Sequence, residues 1–370
     1  MRDAEIHEDW GVLASFFPPD WRESAVRTSA LKGLRKDKSE ENLLRTLLIH
    51  LGCGYSLRET VVRAREADLG DISDVALMKR LKKSQDWLHQ LCVDLFRRRI
   101  PEASARSSPE LRLFDATTVR EPGDTGSLWR IHYSVRFPSL LCDHFSITES
   151  EGKHTAESFK RFPINPGDMI LADRGYFHFS GIHYAHSRGA RVTVRVIPQN
   201  MRILSATGKE PISLLKTISS LRKAGSVKSL DVQLASRTTD ACVPGRLCIV
   251  RKSQEAIDRA HKKLRRNASK KGSTTKPETF RYAEYVILFT TLPNPQFSPL
   301  EVSEFYRVRW QIELVFKRFK QVAQLGHLPK HDADSARAWL YGKLFVALLT
   351  ESLAEHAESF SPWGYDLAKI

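Results

Sequence analysis

Hydrophobic residues recur at three- and four-residue spacing through the first hundred positions, and this period predicts a run of helices over residues 1–105. Glu41 to Leu51 reads as a short apolar helix ended by Gly52. Ser56-Leu57-Arg58-Glu59 has capping-box spacing and opens a helix to about Glu66. A basic helix starts near Ser73 and carries Met78, Lys79, Arg80, Lys82 and Lys83. An apolar one follows from Trp87 to Phe96, ending in Arg97-Arg98-Arg99. Ahead of these, Trp10 to Trp21 is an aromatic-rich entry that Pro18-Pro19 prevents from being one helix.

Residues 106–197 change character to short β-branched and aromatic runs. Leu111-Arg112-Leu113-Phe114-Asp115 is an apolar run ending on an acid, and Trp129 to Phe137 and Leu140 to Thr148 read as strands after a turn marked by Pro122, Gly123 and Gly126. Thr155 to Phe162 reads as a helix. Gly167-Asp168-Met169-Ile170-Leu171-Ala172-Asp173 is a second apolar strand ending on an acid, ahead of Arg174-Gly175-Tyr176. A helix over 178–186 and a strand from Arg191 to Ile197 complete an α/β order. Residues 198–297 interrupt it with strands at Leu230–Ala235, Gly245–Val250 and Tyr285–Leu292. They also hold a helix from Gln254 through Lys262-Lys263-Leu264-Arg265-Arg266, and then a Ser/Thr/Gly/Lys linker. Residues 298–370 add a helix over 305–320 and a long apolar helix from Asp334 to Glu355.

The helix over 305–320 holds the densest chemistry. At 100° per residue from Tyr306, Arg309, Glu313 and Lys320 share an arc about 60° wide with it, and Val308, Ile312, Val315, Phe319 and Val322 form a separate apolar stripe. One carboxylate is thus aligned with a phenol, a guanidinium and an ammonium beside a seam that can face a core. An exposed helix laced with ion pairs is the alternative.

Composition narrows the setting. With 370 residues, 41% hydrophobic and 27% charged, the chain is long enough for two or three domains with real cores. It has no run of 18 apolar residues and no apolar segment behind Met1-Arg2-Asp3-Ala4, so neither secretion nor a membrane span is expected. Five scattered cysteines without a CxxC pair suit a reducing cytoplasm and argue against zinc or a disulfide framework. The net charge of +15 points to a polyanion. Residues 1–110 carry 19 Lys and Arg against 18 Asp and Glu, whereas 198–282 carry 19 against 6, so the excess lies in one internal segment. That segment lacks Trp and suits phosphate tracking more than base stacking. The helix, Gly-containing turn and basic helix near residues 56–83 have the form of a helix-turn-helix, which would put the second helix in a DNA major groove; a plain bundle is the alternative.

Two aspartates at strand ends and one glutamate on a helix are hard oxygen donors without His or Cys nearby, suited to Mg²⁺ or Mn²⁺. A pair of such ions activates a water or a 3′-hydroxyl and stabilises the leaving oxygen of a phosphodiester. His183-x-x-His186 has metal-like spacing without partners, and His132 and His144 sit in strands, so packing roles are expected for all four. Trp310 lies where it would flank the site or pack.

Tyr306, Arg309, Glu313 and Lys320 stand as Tyr-x2-Arg-x3-Glu-x6-Lys, which resembles the motif of DDE transposases of the insertion-sequence IS-four family. Asp115 in Leu-Phe-Asp-Ala-Thr-Thr and Asp173 in Leu-Ala-Asp-Arg-Gly-Tyr are similar to that family's aspartate motifs. Over residues 40–355 the resemblance implies an α/β fold with an RNase H-like catalytic core, interrupted by a β-rich insert and preceded by an N-terminal helical domain. The corresponding boundaries are 1–105 for a DNA-end-binding helical domain, 106–197 for the first part of the core, 198–297 for the basic insert, and 298–370 for core completion. By the same resemblance, Asp115, Asp173 and Glu313 are catalytic and bind two divalent ions. Tyr306, Arg309 and Lys320 hold phosphates, and Lys317 and Arg174 are adjacent DNA-binding candidates.

The implied activity is cutting double-stranded DNA at terminal inverted repeats and joining 3′-hydroxyls to target DNA, by a homodimer in a synaptic complex on the nucleoid of a prokaryotic host. The resemblance also implies an aromatic of the insert against a base flipped at the DNA end; this insert contains no Trp, leaving Phe280, Tyr282 and Tyr285 as candidates. Two alternatives stand beside this reading. One is an RNase H-like nuclease without joining activity, and the other is a catalytically silent DNA-binding protein derived from a transposase.

Overall fold

The structure is a computed structural model that describes residues 10–34, 39–99, 110–120, 128–150, 155–198, 201–294, 296–322, 328 and 332–358. Among the described residues it is a mixed α/β fold whose nine strands form one sheet in the order β3-β2-β1-β4-β5-β9-β8-β7-β6. In chain order these are β1 (Leu111–Arg120), β2 (Leu128–Phe137), β3 (Cys142–Glu149), β4 (Met169–Ala172), β5 (Arg191–Arg195), β6 (Arg202–Ser205), β7 (Val227–Ala235), β8 (Cys242–Arg251) and β9 (Tyr285–Thr290). β1 to β3 form an antiparallel meander. β4 pairs parallel with β1 and β5 parallel with β4, and the helix Phe179–Ser187 supplies the crossover from β4 to β5. β9 then pairs antiparallel with β5 over Thr193–Arg195, and the segment 198–297 continues the same sheet.

Alternation along the strands sorts the sheet into two faces. Leu113, Ile131, Tyr133, Val135 and Leu171 face one apolar core, shared with the N-terminal helices and with the helix Ala333–Glu358. Phe114, Ile170, Ala172, Val192, Val194, Leu247 and Phe289 face a second core with the helix Phe179–Ser187. Arg112 is buried among the second set. Its guanidinium is neutralised by Asp143 at 2.9 Å and Asp168 at 3.0 Å, and Ser134 accepts from it at 3.0 Å, tying β1 to its neighbours on both sides. A buried arginine is tolerated when it is paired on several sides in this way.

Residues 10–15 are helical, and the helices that follow before residue 100 are α1 (Trp21–Arg27), α2 (Glu40–Cys53), α3 (Leu57–Glu66), α4 (Asp74–Lys83) and α5 (Gln85–Arg99). Ser39, Ser56 and Ser73 cap three of them by accepting from the amides of Asn42, Glu59 and Ala76. α2 ends not at Gly52, which lies inside it, but at Gly54, whose φ of 73° suits the left-handed cap. In α4 the Arg80 guanidinium is turned back onto the carbonyls of Lys32 and Gly33, Lys83 reaches the Lys32 carbonyl at 3.5 Å, and Lys82 pairs with Asp332, leaving Val75 and Lys79 on its exposed face.

Four further expectations are corrected. Asp115 is not at a strand end, because β1 continues to Arg120 against β2. Thr155 to Phe162 is extended chain with a single 3₁₀ turn, Phe159–Arg161. Arg202–Ser205 is an additional short strand. The helix over 305–320 is a helix Pro299–Arg307, a 3₁₀ turn Val308–Trp310 and a helix Gln311–Val322. The turn residues 122, 123 and 126, and the side chains of Phe319 and Val322, lie outside the described residues. Among the described residues no helix is long and apolar enough to cross a membrane.

Candidate functional site

β1 pairs with β4 in parallel only as far as Phe114↔Ala172, so Asp115 and Asp173 are the next residues on adjacent strands. They share parity with Leu113 and Leu171, and both side chains therefore lie on the face toward the first core. Here the sheet loses its parallel pairing: β1 runs on against β2 alone, while Asp173 turns away and caps a 3₁₀ turn by accepting from the Arg174 amide at 2.6 Å.

The helix Gln311–Val322 lies over this break in the pairing, held by Tyr133. That tyrosine stands opposite Asp115 on β2, donates its hydroxyl to the Ile312 carbonyl at 2.7 Å, and packs its ring edge-on against Phe316. Ile312 and Val315 are buried beneath the helix, and Glu313 is left 63% exposed on top. Arg309, in the 3₁₀ turn, bridges the two elements. It lies 3.4 Å from Asp115 and 3.0 Å from Glu313, with its guanidinium 5.8 Å from the centre of the Tyr306 ring.

The electrostatics are those of crowded carboxylates in a partly dry cleft. Burial drives the Asp115 acid up to about 7, Asp173 and Glu157 push in the same direction, and the Ala116 amide and Arg309 only partly oppose them. Glu157 is itself raised, by burial and by Asp173, against the pull of Arg130. Burial also lifts the Tyr306 phenol to about 12, and the Arg309 cation is favoured because Tyr306, Asp173 and Asp115 outweigh its burial. On the β5 side, Arg195 sits on the Asp173 face and is lowered by burial and by Arg174. Lys252 is pulled down to about 8 by burial, Arg195 and Arg174. A row of acids thus runs beside a row of cations.

The expected residues are therefore brought together unequally. Asp115, Asp173, Glu313, Arg309 and Tyr306 form one group, and Arg174 joins its cationic rim. Lys320 stands one step along β1, where it shares a small cleft with Thr117, Tyr133 and Phe316, and Lys317 is exposed on the same helix. Among the described residues no three acids or histidines close on one point. The donor set nonetheless fits a hard divalent ion: it is all carboxylate oxygen, and Asp115, raised chiefly by burial and further by the neighbouring Asp173 and Glu157, is a group whose charged form a cation would favour.

Glu157 was not singled out from the sequence. Its carboxylate lies against the Cα of Gly175, where any Cβ would overlap it, so the Arg174-Gly175 pair was the available signal. Arg195 and Lys252 were missed for a similar reason, since only the pairing of β5, β9 and β8 brings them to the site.

Several alternatives are settled by packing. Tyr285 is buried with its hydroxyl on the Leu221 carbonyl and is removed as a base-stacking candidate. His132 and His144 are bonded to Thr148 and to the Arg161 carbonyl inside the sheet, and His183 stacks on Phe179. Trp310 is 53% exposed rather than packed.

Residues 106–349 match a family model described as a transposase DDE domain. The chain is 30% identical to InsL of insertion sequence element IS186A from Escherichia coli over 361 residues, 96% of each protein. It is also 30% identical to the transposase for insertion sequence element IS421 of Escherichia coli, again over 96% of each. The transposase for insertion sequence element IS231B of Bacillus thuringiensis subsp. berliner is 23% identical over 76% of this chain and 65% of its own length.

Proposed function

Because the chain belongs to the DDE transposase family, we propose that it cuts DNA at the ends of an insertion sequence and joins the freed 3′-hydroxyls to target DNA, with Asp115, Asp173 and Glu313 as the metal-holding carboxylates. The observation that carries the residue assignment is the juxtaposition of Asp115 and Asp173 beyond the last parallel pair, with Arg309 linking Asp115 to Glu313. The order β3-β2-β1-β4-β5 supports an RNase H-like core, and the strands β6 to β9 then form the insert. Divalent metal dependence belongs to the family; Mg²⁺, with Mn²⁺ accepted and two ions per site, is our assignment from the donor set.

Bound there, the ions supply Lewis acidity to a phosphodiester and lower the pKa of an attacking hydroxyl or water. The chain's own residues do the rest. Arg309 and Tyr306 present a guanidinium and a phenol to non-bridging phosphate oxygens. Arg174, Arg195 and Lys252 give the approaching strand a cationic wall, and Lys320 extends the contact along β1. The low exposure of Asp115 and Arg309, 16% and 15%, strengthens each charge by excluding water. In the displacement a new P–O bond forms in line with the breaking P–O3′ bond, so both substrates must be held rigidly, a role for the sheet rather than for a loop. We assign the working species as a homodimer bringing two ends together on nucleoid DNA in the cytoplasm of a prokaryotic host.

The test is a duplex carrying the element's terminal inverted repeat, read from the DNA that flanks the coding sequence. With Mg²⁺ the protein cuts it and joins it to a plasmid. Asp115→Asn, Asp173→Asn and Glu313→Gln abolish both steps and keep end binding; cutting and joining by any of the three would overturn the assignment. Cutting without joining would instead identify a nuclease.

A further inference from the structure

Between β8 and β9 the chain leaves the sheet as a helical hairpin, the helices Gln254–Lys270 and Pro277–Ala283. Its inner side is anchored. Ile257 is buried, the His261 ring nitrogen meets the Phe280 carbonyl at 3.1 Å, and the Arg265 guanidinium lies 5.7 Å from the Phe280 ring centre. At 100° per residue from Ile257, Ala260, His261, Leu264 and Ala268 fall within about 60° of it, while Lys262, Arg266, Arg259, Lys270 and Lys263 fall between about 140° and 240°. All five cations are exposed, and among the described residues none makes an ion pair. Apart from Glu255 in the first turn, this arc holds nothing but Lys and Arg. Residues 252–284 carry ten Lys and Arg against four Asp and Glu.

The register fixes where this stripe stands. Ala172 pairs with Val194, Arg195 with Leu288 and Leu288 with Cys248, so Asp173, Arg195 and the middle of β8 lie in one row. The hairpin departs after Arg251↔Tyr285, three residues beyond that row, about 10 Å past the acids at the same end of the sheet. Lys252 at its root, with Arg195 and Arg174, makes the positive surface continuous from the acids to the hairpin.

Resting on the transposase reading above, we propose that the outer face of the helix Gln254–Lys270 is the docking surface for target DNA, gripping the backbone of a duplex of arbitrary sequence through Arg259, Lys262, Lys263, Arg266 and Lys270. Guanidinium and ammonium groups set on one exposed arc neutralise backbone phosphates whatever the sequence, a mode of contact that suits a partner whose sequence is not fixed. From Arg259 to Lys270 the stripe is about 16 Å long, enough to follow several phosphates.

The experiment compares the full chain with a variant carrying Arg259→Gln, Lys262→Gln, Lys263→Gln, Arg266→Gln and Lys270→Gln, changes that keep helix propensity. Binding of a random-sequence duplex is followed by fluorescence anisotropy over a range of salt, alongside cutting of the inverted-repeat duplex and joining to plasmid. The expected result is duplex binding at least about tenfold weaker, with a salt slope reduced by about two to four. Joining falls in parallel, and end cutting stays within about threefold. Equal losses of end cutting and joining would show that the hairpin holds the element's own end and overturn the proposal. An unchanged salt slope and joining rate would make the stripe a solvated surface and overturn it too. Arg259→Lys with Arg266→Lys retains binding if only charge is needed; its loss would indicate base reading, against the proposal. A wild-type chain that neither cuts nor joins fails the transposase reading itself, while the salt slope still judges the hairpin as a duplex-binding surface.

Discussion

On one side of the β5–β9 pairing the sheet carries its functional charges singly and half-buried; on the other it carries them in number and exposed. Asp115 and Arg309 keep 16% and 15% of their side-chain surface, and each meets named partners at defined distances. The cations of the helix Gln254–Lys270 lie open to solvent on one arc. Burial makes a single charge strong and its loss expensive, whereas exposed charges are screened and act by their sum. The first half is therefore suited to chemistry at one phosphorus atom. The second is suited to a grip that tolerates any sequence.

Substitutions should separate the halves by size of effect. The largest is expected for Asp173→Asn or Asp115→Asn: metal-dependent cleavage falls by at least about a thousandfold in single-turnover assays, with duplex binding nearly unchanged. A merely threefold loss would erase the contrast. Arg309→Met should follow at about a hundredfold, because it removes a phosphate contact and leaves Asp115 and Glu313 without their shared cation.

Acid should then weaken the catalytic half through His132, whose imidazole, buried in the sheet and near Arg161 and Arg130, is held down to about 3. The unfolded chain takes up that proton first. Stability is thus complete above pH of about 6.5 and declines as pH falls toward 3, by a few kcal/mol at most. Thermal melts of His132→Gln should lose that slope; identical slopes would remove His132 as its source.

Tyr133→Phe deletes the hydroxyl that ties the Glu313 helix to β2. A stability loss of about 1–3 kcal/mol should accompany a slower cleavage step at unchanged DNA affinity. Smallest of all, Lys262→Gln alone should weaken duplex binding by about two- to threefold at low salt and by less as salt rises. A tenfold effect insensitive to salt would mean that the hairpin works through single buried contacts, like the other half.

Much of the candidate site could be read along the chain because its parts announce themselves locally. Asp173 ends an apolar run, and Tyr306, Arg309 and Glu313 keep helical spacing. The 3₁₀ turn tightens the helix there, yet Arg309 still meets Glu313 at 3.0 Å and lies 5.8 Å from the Tyr306 ring centre. What stayed hidden depends on distant pairing. Residues 116–120 gave no apolar alternation to extend β1, and only β2 lying alongside keeps them extended. Glu157 belongs to a stretch that looked helical but is extended, held by contacts across the chain: His178 meets its carbonyl at 2.8 Å, and Arg130 meets that of Thr155 at 3.2 Å. β6 is four residues long and exists only as an edge against β7. The departure of Arg80 and Lys82 from the outer face of α4 was equally invisible, since their partners lie at Lys32, Gly33 and Asp332.

The hairpin also has a modular aspect. It enters and leaves through Arg251 and Tyr285, which are paired neighbours on adjacent strands, so its two ends meet at a separation set by the sheet alone. Any segment whose termini meet at that spacing of about 5 Å can be spliced there without changing the register on either side. The junction is a socket, and on the target-docking proposal, exchanging what is plugged into it offers a route to redirecting insertion while leaving the cutting chemistry intact.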